Sequence, residues 1–222
     1  ALQKRTVPYS KFGPVWVGKG EYNWDNLRAQ CHEIFDNISF AEGVTTIGKS
    51  AFEECKYIYS VHLPESIERL EEHAFYKSNV YVINFPSNLK YIGSRALAFS
   101  QIKSVEELSD NTYIEPYAFA CCPNLERFVV PHYWTSVGGF SGCIKLKEII
   151  LPPTITHIES SAFNGCTSLT EITIPSSVTS IGNSAFSWCK SLTSVTIGDS
   201  VTTIGNSAFI WCESLTSVTI GD

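Results

Sequence analysis

The chain has 222 residues, of which 44% are hydrophobic and 17% charged, and its formal net charge is −6. This length and apolar content suffice for a buried core in one large domain or two small ones. The acidic balance and the absence of a basic run argue against nucleic-acid binding. No stretch reaches the roughly 18 consecutive apolar residues of a membrane span, and the first residues, ALQKRTVPYS, have no signal-peptide core.

Residues 1–34 contain no internal repeat. Within them and just beyond, Trp24, Leu27, Cys31 and Phe35 are spaced by three and four residues, which predicts a short amphipathic helix. A repeat array exposes its apolar interior at its ends. The sequence therefore predicts that residues 1–34 form a capping segment.

Residues 35–222 repeat with a period of about 23 residues. One apolar anchor marks each unit, and successive anchors lie 21 to 23 residues apart. The anchors are Phe52, Phe75, Leu97, Phe119, Phe140, Phe163, Phe186 and Phe209. We therefore expect about eight units. Because the final residues, SVTIGD, follow the strand pattern without a cap, we expect an array that is truncated or continued there.

Each unit predicts one coil of a stack. The segment LTSVTI at 192–197 alternates apolar and hydroxyl residues, which indicates a strand. A proline or glycine then turns the chain, VTSIG predicts a second extended segment, and NSAFSWC predicts a capped helical turn. Glu71, Glu115 and Glu159 replace the glycine of SIG in other units, so glycine is not required there. Since one coil cannot bury its own apolar face, the units are expected to stack as parallel strands.

The pattern L-x-x-V-x-I-P-x-S-V-x-x-I-G-x-x-A-F-x-x-C over residues 35–222 resembles the BspA-like class of leucine-rich repeats. The resemblance implies a right-handed, curved solenoid of the α/β, mostly β, class. Its parallel sheet would form the concave side, with short extended segments and single helical turns on the other sides. The resemblance also implies a secreted or cell-surface protein, with an intracellular complex component as the alternative. It brings no catalytic motif, metal or cofactor.

Six of the eight cysteines occupy one position, three residues after the anchor. They are Cys55, Cys122, Cys143, Cys166, Cys189 and Cys212. Serine takes the same position at 78 and 100, which indicates a small inward side chain whose S–H or O–H meets a carbonyl. We therefore predict a buried structural column of free thiols. Cys31 and Cys121 lie outside the column and are the candidates for reactive thiols.

Other cysteine chemistry is disfavoured. Parallel stacking points the Cβ atoms of the column the same way, which argues against disulfides within it. No Cys-x-x-Cys pair occurs and the five histidines are scattered, so we predict no metal site.

Candidate binding residues are those that face outward or depart from the repeat. Arg127 and Glu148 are expected to be neighbours on adjacent strands, where a surface ion pair is the simple interpretation. A Glu148 and Glu171 pair could serve acid chemistry, but an open sheet without a pocket argues against it. All ten tyrosines lie before residue 134, and tyrosine is common at interfaces. The candidates are Tyr59, His62, Tyr81, Asn84, Arg127, Val129, His132, Tyr133, Glu148 and Ile150.

Two functions fit these observations. The first is a non-enzymatic protein-binding or adhesion module that presents an extended solenoid face to a protein or cell-surface partner. The second is a structural or assembly component of a larger complex or surface layer, which the hydroxyl-rich final units favour. No phosphate-binding loop, nucleophile elbow or metalloprotease motif indicates an enzyme.

Overall fold

The computed structural model describes residues 15–17, 21–22, 37–40, 42–105, 108–109 and 111–221. These residues form strands and turns, and no helix occurs among them. The chain divides into two compact units, unit 1 (residues 1–119) and unit 2 (residues 120–222). Each unit is a stack of parallel coils.

Unit 1 contains two parallel sheets whose strands alternate along the chain. The strands are β1 (Val15–Val17), β2 (Glu21–Tyr22), β3 (Asn37–Phe40), β4 (Thr46–Ile47), β5 (Ser60–His62), β6 (Arg69–Leu70), β7 (Val82–Ile83), β8 (Tyr91–Ile92) and β9 (Tyr113–Ile114). One sheet has the order β1-β3-β5-β7 and the other β2-β4-β6-β8-β9. A coil therefore contributes one strand to each sheet, as the two extended segments of the repeat predict.

The ladder extends into the segment that we expected to act as a cap. Val15 of β1 pairs with Ile38 of β3, and Glu21 of β2 pairs with Thr46 of β4, both in parallel. These strands add one member to each sheet of unit 1. The helix expected over residues 24–35 lies outside the described residues.

Unit 2 is built in the same way. Its strands are β10 (Arg127–Val129), β11 (Ser136–Val137), β12 (Glu148–Ile150), β13 (His157–Ile158), β14 (Glu171–Ile174), β15 (Ser180–Ile181), β16 (Ser194–Ile197), β17 (Thr203–Ile204) and β18 (Ser217–Ile220). The parallel sheets have the orders β10-β12, β11-β13-β15-β17 and β14-β16-β18. Glu171 pairs with Ser194, which pairs with Ser217, so the register equals one repeat.

The anchors form the centre of the core. In unit 1 the rings of Phe52 and Phe75 stack 5.1 Å apart, and in unit 2 those of Phe163 and Phe186 stack 5.2 Å apart. All four side chains are buried. Truncating such a phenylalanine to alanine costs about 3–5 kcal/mol, so the anchor column is a main source of stability.

The chain around each anchor forms tight turns in place of the expected helical turn. The residues two positions before and after Phe186, Ser184 and Trp188, have φ of 54° and 62°. Left-handed residues interrupt a right-handed helix. The amide of Phe186 donates instead to the carbonyl of Ala208 in the next coil, at 2.7 Å. The helical-turn prediction was therefore wrong, because these backbone bonds run between coils.

Threonine hydroxyls also link the coils. Thr179 Oγ1 donates to the carbonyl of Thr156, and Thr202 Oγ1 donates to the carbonyl of Thr179, each at 3.2 Å. The hydroxyl-rich sequence of the last coils thus serves cohesion between coils as well as solvation.

Glycine at the SIG position is required by close packing in some coils. A Cβ at Gly182 would lie 2.5 Å from the amide nitrogen of Ser160, and one at Gly205 would lie 2.5 Å from that of Asn183. Neither glycine has a positive φ. The interpretation that glycine is dispensable was therefore wrong for these coils, since the backbone of the preceding coil leaves no space for a side chain.

We expect Gly182→Ala to lower the free energy of unfolding by about 1–3 kcal/mol, because the added methyl meets backbone that must shift. Gly221→Ala is the matched control, since its Cβ would come no closer than 3.4 Å to another atom. Its effect should stay within about 0.5 kcal/mol. Urea unfolding of both variants measures the difference, and equal stabilities would contradict the close-packing argument.

Candidate binding surfaces

An aromatic surface lies at the start of two neighbouring strands in unit 1. Tyr59 and Tyr81 precede β5 and β7, and their rings stack 5.2 Å apart at an interplanar angle of 8°. The amide of Tyr81 donates to the carbonyl of Tyr59 at 2.8 Å, which sets the two rings one coil apart. Tyr59 is 52% exposed, and Tyr57 and Val82 beside it are also exposed. We call Tyr57, Tyr59, Tyr81 and Val82 the tyrosine patch.

A surface cavity of about 370 Å³ adjoins the tyrosine patch. It is lined by Tyr81, Val82, Ile83, Asn84, Phe85, Lys103 and Ser104. Aromatic and aliphatic walls with a few polar groups are typical of sites that accept an apolar group of a binding partner. The tyrosine patch therefore combines exposed rings with a recess beside them.

His62 and Asn84, which we expected at the same surface, differ in their availability. His62 is exposed at the end of β5. The side-chain oxygen of Asn84 accepts a bond from the amide of Leu63 at 2.6 Å, and its nitrogen donates to the carbonyl of Leu63 at 2.8 Å. Both ends of this amide are occupied by the neighbouring coil. Asn84 therefore holds two coils together as well as lining the cavity, and its contact with a partner stays a prediction.

A second set of candidates lies together in unit 2. Arg127 of β10 pairs in register with Glu148 of β12, and Nε of Arg127 lies 2.7 Å from Oε2 of Glu148. Both side chains are partly exposed, so the ion pair contributes under about 1 kcal/mol. Val129 and Ile150 lie opposite each other on the same strands and are 48% and 41% exposed. This surface joins an ion pair to two exposed aliphatic side chains.

The PHYW segment of unit 2 separates into core and surface residues. Trp134 is buried and packs against Phe128, with ring centroids 6.3 Å apart. His132 is exposed and Tyr133 partly exposed, and their rings meet edge to face at 5.6 Å. The predicted binding residues thus fall into one set in each unit.

A third surface column, which we did not expect from the sequence, lies on the other sheet of unit 1. The guanidinium of Arg69 lies 4.0 Å from the ring centre of Tyr91, whose ring stacks on that of Tyr113 at 6.2 Å. The hydroxyl of Tyr91 donates to Glu115 at 2.9 Å. Burial, and then this bond to Glu115, raise the pKa of Tyr91 to about 12. Arg69, Tyr91 and Tyr113 are each 22 residues apart, and this spacing of one repeat could have predicted from the sequence that they are neighbours.

The cysteine position lies inside the coils. Cys122, Cys143, Cys166 and Cys189 are buried, and Cys212 is partly buried. Each of the last three thiols donates to the carbonyl of the anchor in the preceding coil, as between Cys166 and Phe140 at 3.1 Å. The thiol hydrogen bonds of the column therefore link neighbouring coils at the turn.

Cys55 departs from the expected free thiols because it is disulfide-bonded. Parallel stacking points the Cβ atoms of the column the same way, which disfavours bonds between its members but not a bond to a cysteine elsewhere in the chain. Cys121 carries a reduced thiol that is partly exposed. Cys31, the other candidate for a reactive thiol, lies outside the described residues.

No group of three or more His, Cys, Asp or Glu side chains in the part of the chain that the structure describes is arranged to hold a metal ion. None of its elements is a helix long and apolar enough to cross a membrane.

Each coil contributes two strands, and the coils stack around a column of apolar anchors with turns between the sheets. These features define a leucine-rich-repeat solenoid. The sequence matches the BspA type leucine rich repeat region in six copies, over residues 28–139 and 138–222. The chain belongs to this family. No curated protein matches it by sequence.

Solved structures of bacterial leucine-rich repeat proteins share the fold. A leucine-rich repeat protein from Bacteroides ovatus superposes with a TM-score of 0.60 at 21% identity, over 83% of this chain and 60% of that one. A leucine rich cell surface protein from Faecalibacterium prausnitzii gives 0.52 at 25%, over 84% and 61%. The pneumococcal vaccine antigen PcpA gives 0.55 at 22%, over 82% and 56%. The chain thus spans about three fifths of the first two relatives.

We expect Cys121 to be alkylated by iodoacetamide in the folded protein at pH 8.5, whereas Cys166 and Cys189 are not. Burial raises the pKa of both inner thiols, to about 12 for Cys189, so they stay protonated and shielded at this pH. Peptide mass mapping before and after denaturation measures the difference. Modification of Cys166 at the rate of Cys121 would contradict a buried column.

Proposed function

We propose that this chain is a non-enzymatic protein-binding module and that the tyrosine patch contacts its partner. The observation that carries the proposal is the stacked pair of the exposed Tyr59 and the partly exposed Tyr81 beside a cavity. Tyrosine offers a large rigid contact area with a polar tip, at low cost in side-chain entropy. The ring of Tyr59 is exposed here, although the repeat places serine or threonine at many outward positions. Exposed apolar patches of this kind are typical of interfaces.

The surface of unit 2 supports the same function. Val129 and Ile150 are exposed aliphatic residues, and Arg127 and Tyr133 supply the residue types that contribute most binding energy at interfaces. Arg127 holds its guanidinium toward Glu148, which orders the side chain before any partner arrives. We assign this surface as a second contact region.

We further propose that the protein is displayed at the cell surface or secreted. The Faecalibacterium relative is described as a cell surface protein, and the pneumococcal relative as a vaccine antigen. The disulfide at Cys55 is consistent with an oxidising compartment, where such bonds persist.

We expect replacement of Tyr59 and Tyr81 by alanine to weaken partner binding by at least about tenfold, because central interface aromatics commonly contribute 2 kcal/mol or more. The partner is first identified by photocrosslinking from position 57 on intact cells or secreted protein. Its affinity is then measured by surface plasmon resonance. Tyr113→Ala, which removes an exposed tyrosine from the other sheet of unit 1, should leave the affinity unchanged.

The outcomes separate the candidate surfaces and functions. A loss caused by Arg127→Ala and Tyr133→Ala, but not by Tyr59→Ala, would move the contact to unit 2 and overturn the assignment to the tyrosine patch. Native mass spectrometry that shows a fixed stoichiometric assembly of copies, with no foreign partner, would favour the structural function.

A further inference from the structure

Two exposed tryptophans in unit 2 belong to none of the surfaces described above. Trp188 and Trp211 stand at the same position of successive coils, two residues after the anchor. Their rings stack 5.4 Å apart at 27°, and the side chains are 44% and 55% exposed. The pair is therefore a flat aromatic surface that the core does not bury.

The backbone beneath these rings is left-handed in every coil. The position two residues after the anchor has a positive φ at residues 54, 77, 99, 121, 142, 165, 188 and 211, with 62° at Trp188 and 60° at Trp211. Gly142 and Gly165 are the two glycines among them, so this conformation belongs to the repeat and tolerates a side chain. Trp188 and Trp211 add a large exposed apolar area at this position, which is typical of binding surfaces.

In the two coils that precede Trp188, the equivalent positions are Gly165 and Gly142, which have no side chain. A Cβ at Gly165 would meet no atom closer than 3.9 Å, and one at Gly142 would meet none within 4 Å. Because parallel coils lie about 4.8 Å apart, the ring position that follows Trp188 lies directly over Gly165. A ring placed over Gly165 would stack on Trp188 from the side opposite to Trp211, whose ring lies 5.4 Å from that of Trp188. We call Trp188, Gly165 and Gly142 the tryptophan ledge.

The charges around the ledge favour a neutral ligand. Nζ of Lys190 lies 5.3 Å from the ring centre of Trp188 and 3.2 Å from a carboxylate oxygen of Glu213. This ammonium already interacts with the indole, so a cationic ligand would be repelled, and its pairing with Glu213 leaves no net charge for an anion. Asn164, next to Gly165 in the sequence, is an uncharged hydrogen-bonding residue. The hydroxyl of Thr167 donates to the carbonyl of Ile144 at 3.1 Å, and its oxygen can accept a further bond.

We propose that the tryptophan ledge binds a pyranose ring of a neutral glycan. One face of a pyranose consists largely of C–H groups that pack on an indole, and its rim of hydroxyls needs amide and hydroxyl partners such as Asn164 and Thr167. A single ring of about a dozen heavy atoms on an open ledge implies a dissociation constant on the order of 1 mM. Several copies on one surface would bind a polymer more tightly. This site lies in unit 2 and does not depend on the tyrosine patch.

The test titrates the whole chain with cellohexaose, chitohexaose and mannohexaose and records two-dimensional amide NMR spectra. At least one sugar should give saturable shifts that centre on the amides of Gly165 and Gly142. Replacing both Trp188 and Trp211 by glycine should weaken binding at least about tenfold. Both tryptophans must be replaced, because Trp188→Gly alone would leave the ring of Trp211 beside a glycine and so create an equivalent ledge one coil later. Trp211→Gly by itself keeps the ledge and is the matched control, with binding expected within about twofold of the unaltered chain.

Other results overturn the proposal. No saturable shift with any of the three sugars at about 20 mM would do so, as would shifts that centre away from the ledge. Unchanged binding by the double glycine variant would also reject it, and circular dichroism shows whether that variant is folded. A proline-rich peptide or tetramethylammonium that shifts the Gly165 amide while the sugars do not would assign the ledge to a different ligand. The NMR map of the unaltered chain decides between these outcomes even if the double variant fails to fold.

Discussion

Register between coils is the constraint on which the rest of this structure depends. Each residue lies beside its counterpart one repeat away, and the bonds that hold a coil run mainly to its neighbours. The amide of Phe186 bonds to the carbonyl of Ala208, and the thiol of Cys189 bonds to the carbonyl of Phe163. Because a single coil can neither bury its anchor nor satisfy these groups, stability belongs to the stack and not to the coil.

This register converts sequence repetition into columns of like side chains. Phenylalanine, cysteine and threonine columns result, and each provides a separate contribution to cohesion between coils. The same rule acts on the surface, where an aromatic residue that is repeated one period later becomes a stacked pair. Tyr59 with Tyr81 and Trp188 with Trp211 are such pairs, with ring centres 5.2 and 5.4 Å apart. A small change in the repeat therefore creates a large flat surface, because the backbone supplies the alignment.

The period made much of this arrangement predictable. Once the repeat length was known, the neighbours of each strand residue followed, and Arg127 indeed lies beside Glu148 and Val129 beside Ile150. The left-handed turns were not predicted from the sequence, because Ser184 and Trp188 stand where glycine would have indicated a positive φ. The role of Asn84 did not follow either, since its side chain could equally have faced a partner. The disulfide at Cys55 was missed because the column geometry says nothing of cysteines outside the column.

The register between coils is also the reason why binding is expected where the repeat is broken. An inward position is restricted to one size of side chain by the coils on either side, as the 2.5 Å approach at Gly182 shows, so variation there costs stability. Outward positions on the sheets carry no such restriction, and residues such as Val82 and Val129 can change without disturbing the stack. The turn positions are intermediate, because Trp188 keeps the ladder of backbone bonds intact while adopting a left-handed conformation. Since every coil is left-handed at this position and most coils carry a side chain there, a large exposed ring such as that of Trp188 can be introduced at the turn without disturbing the stack.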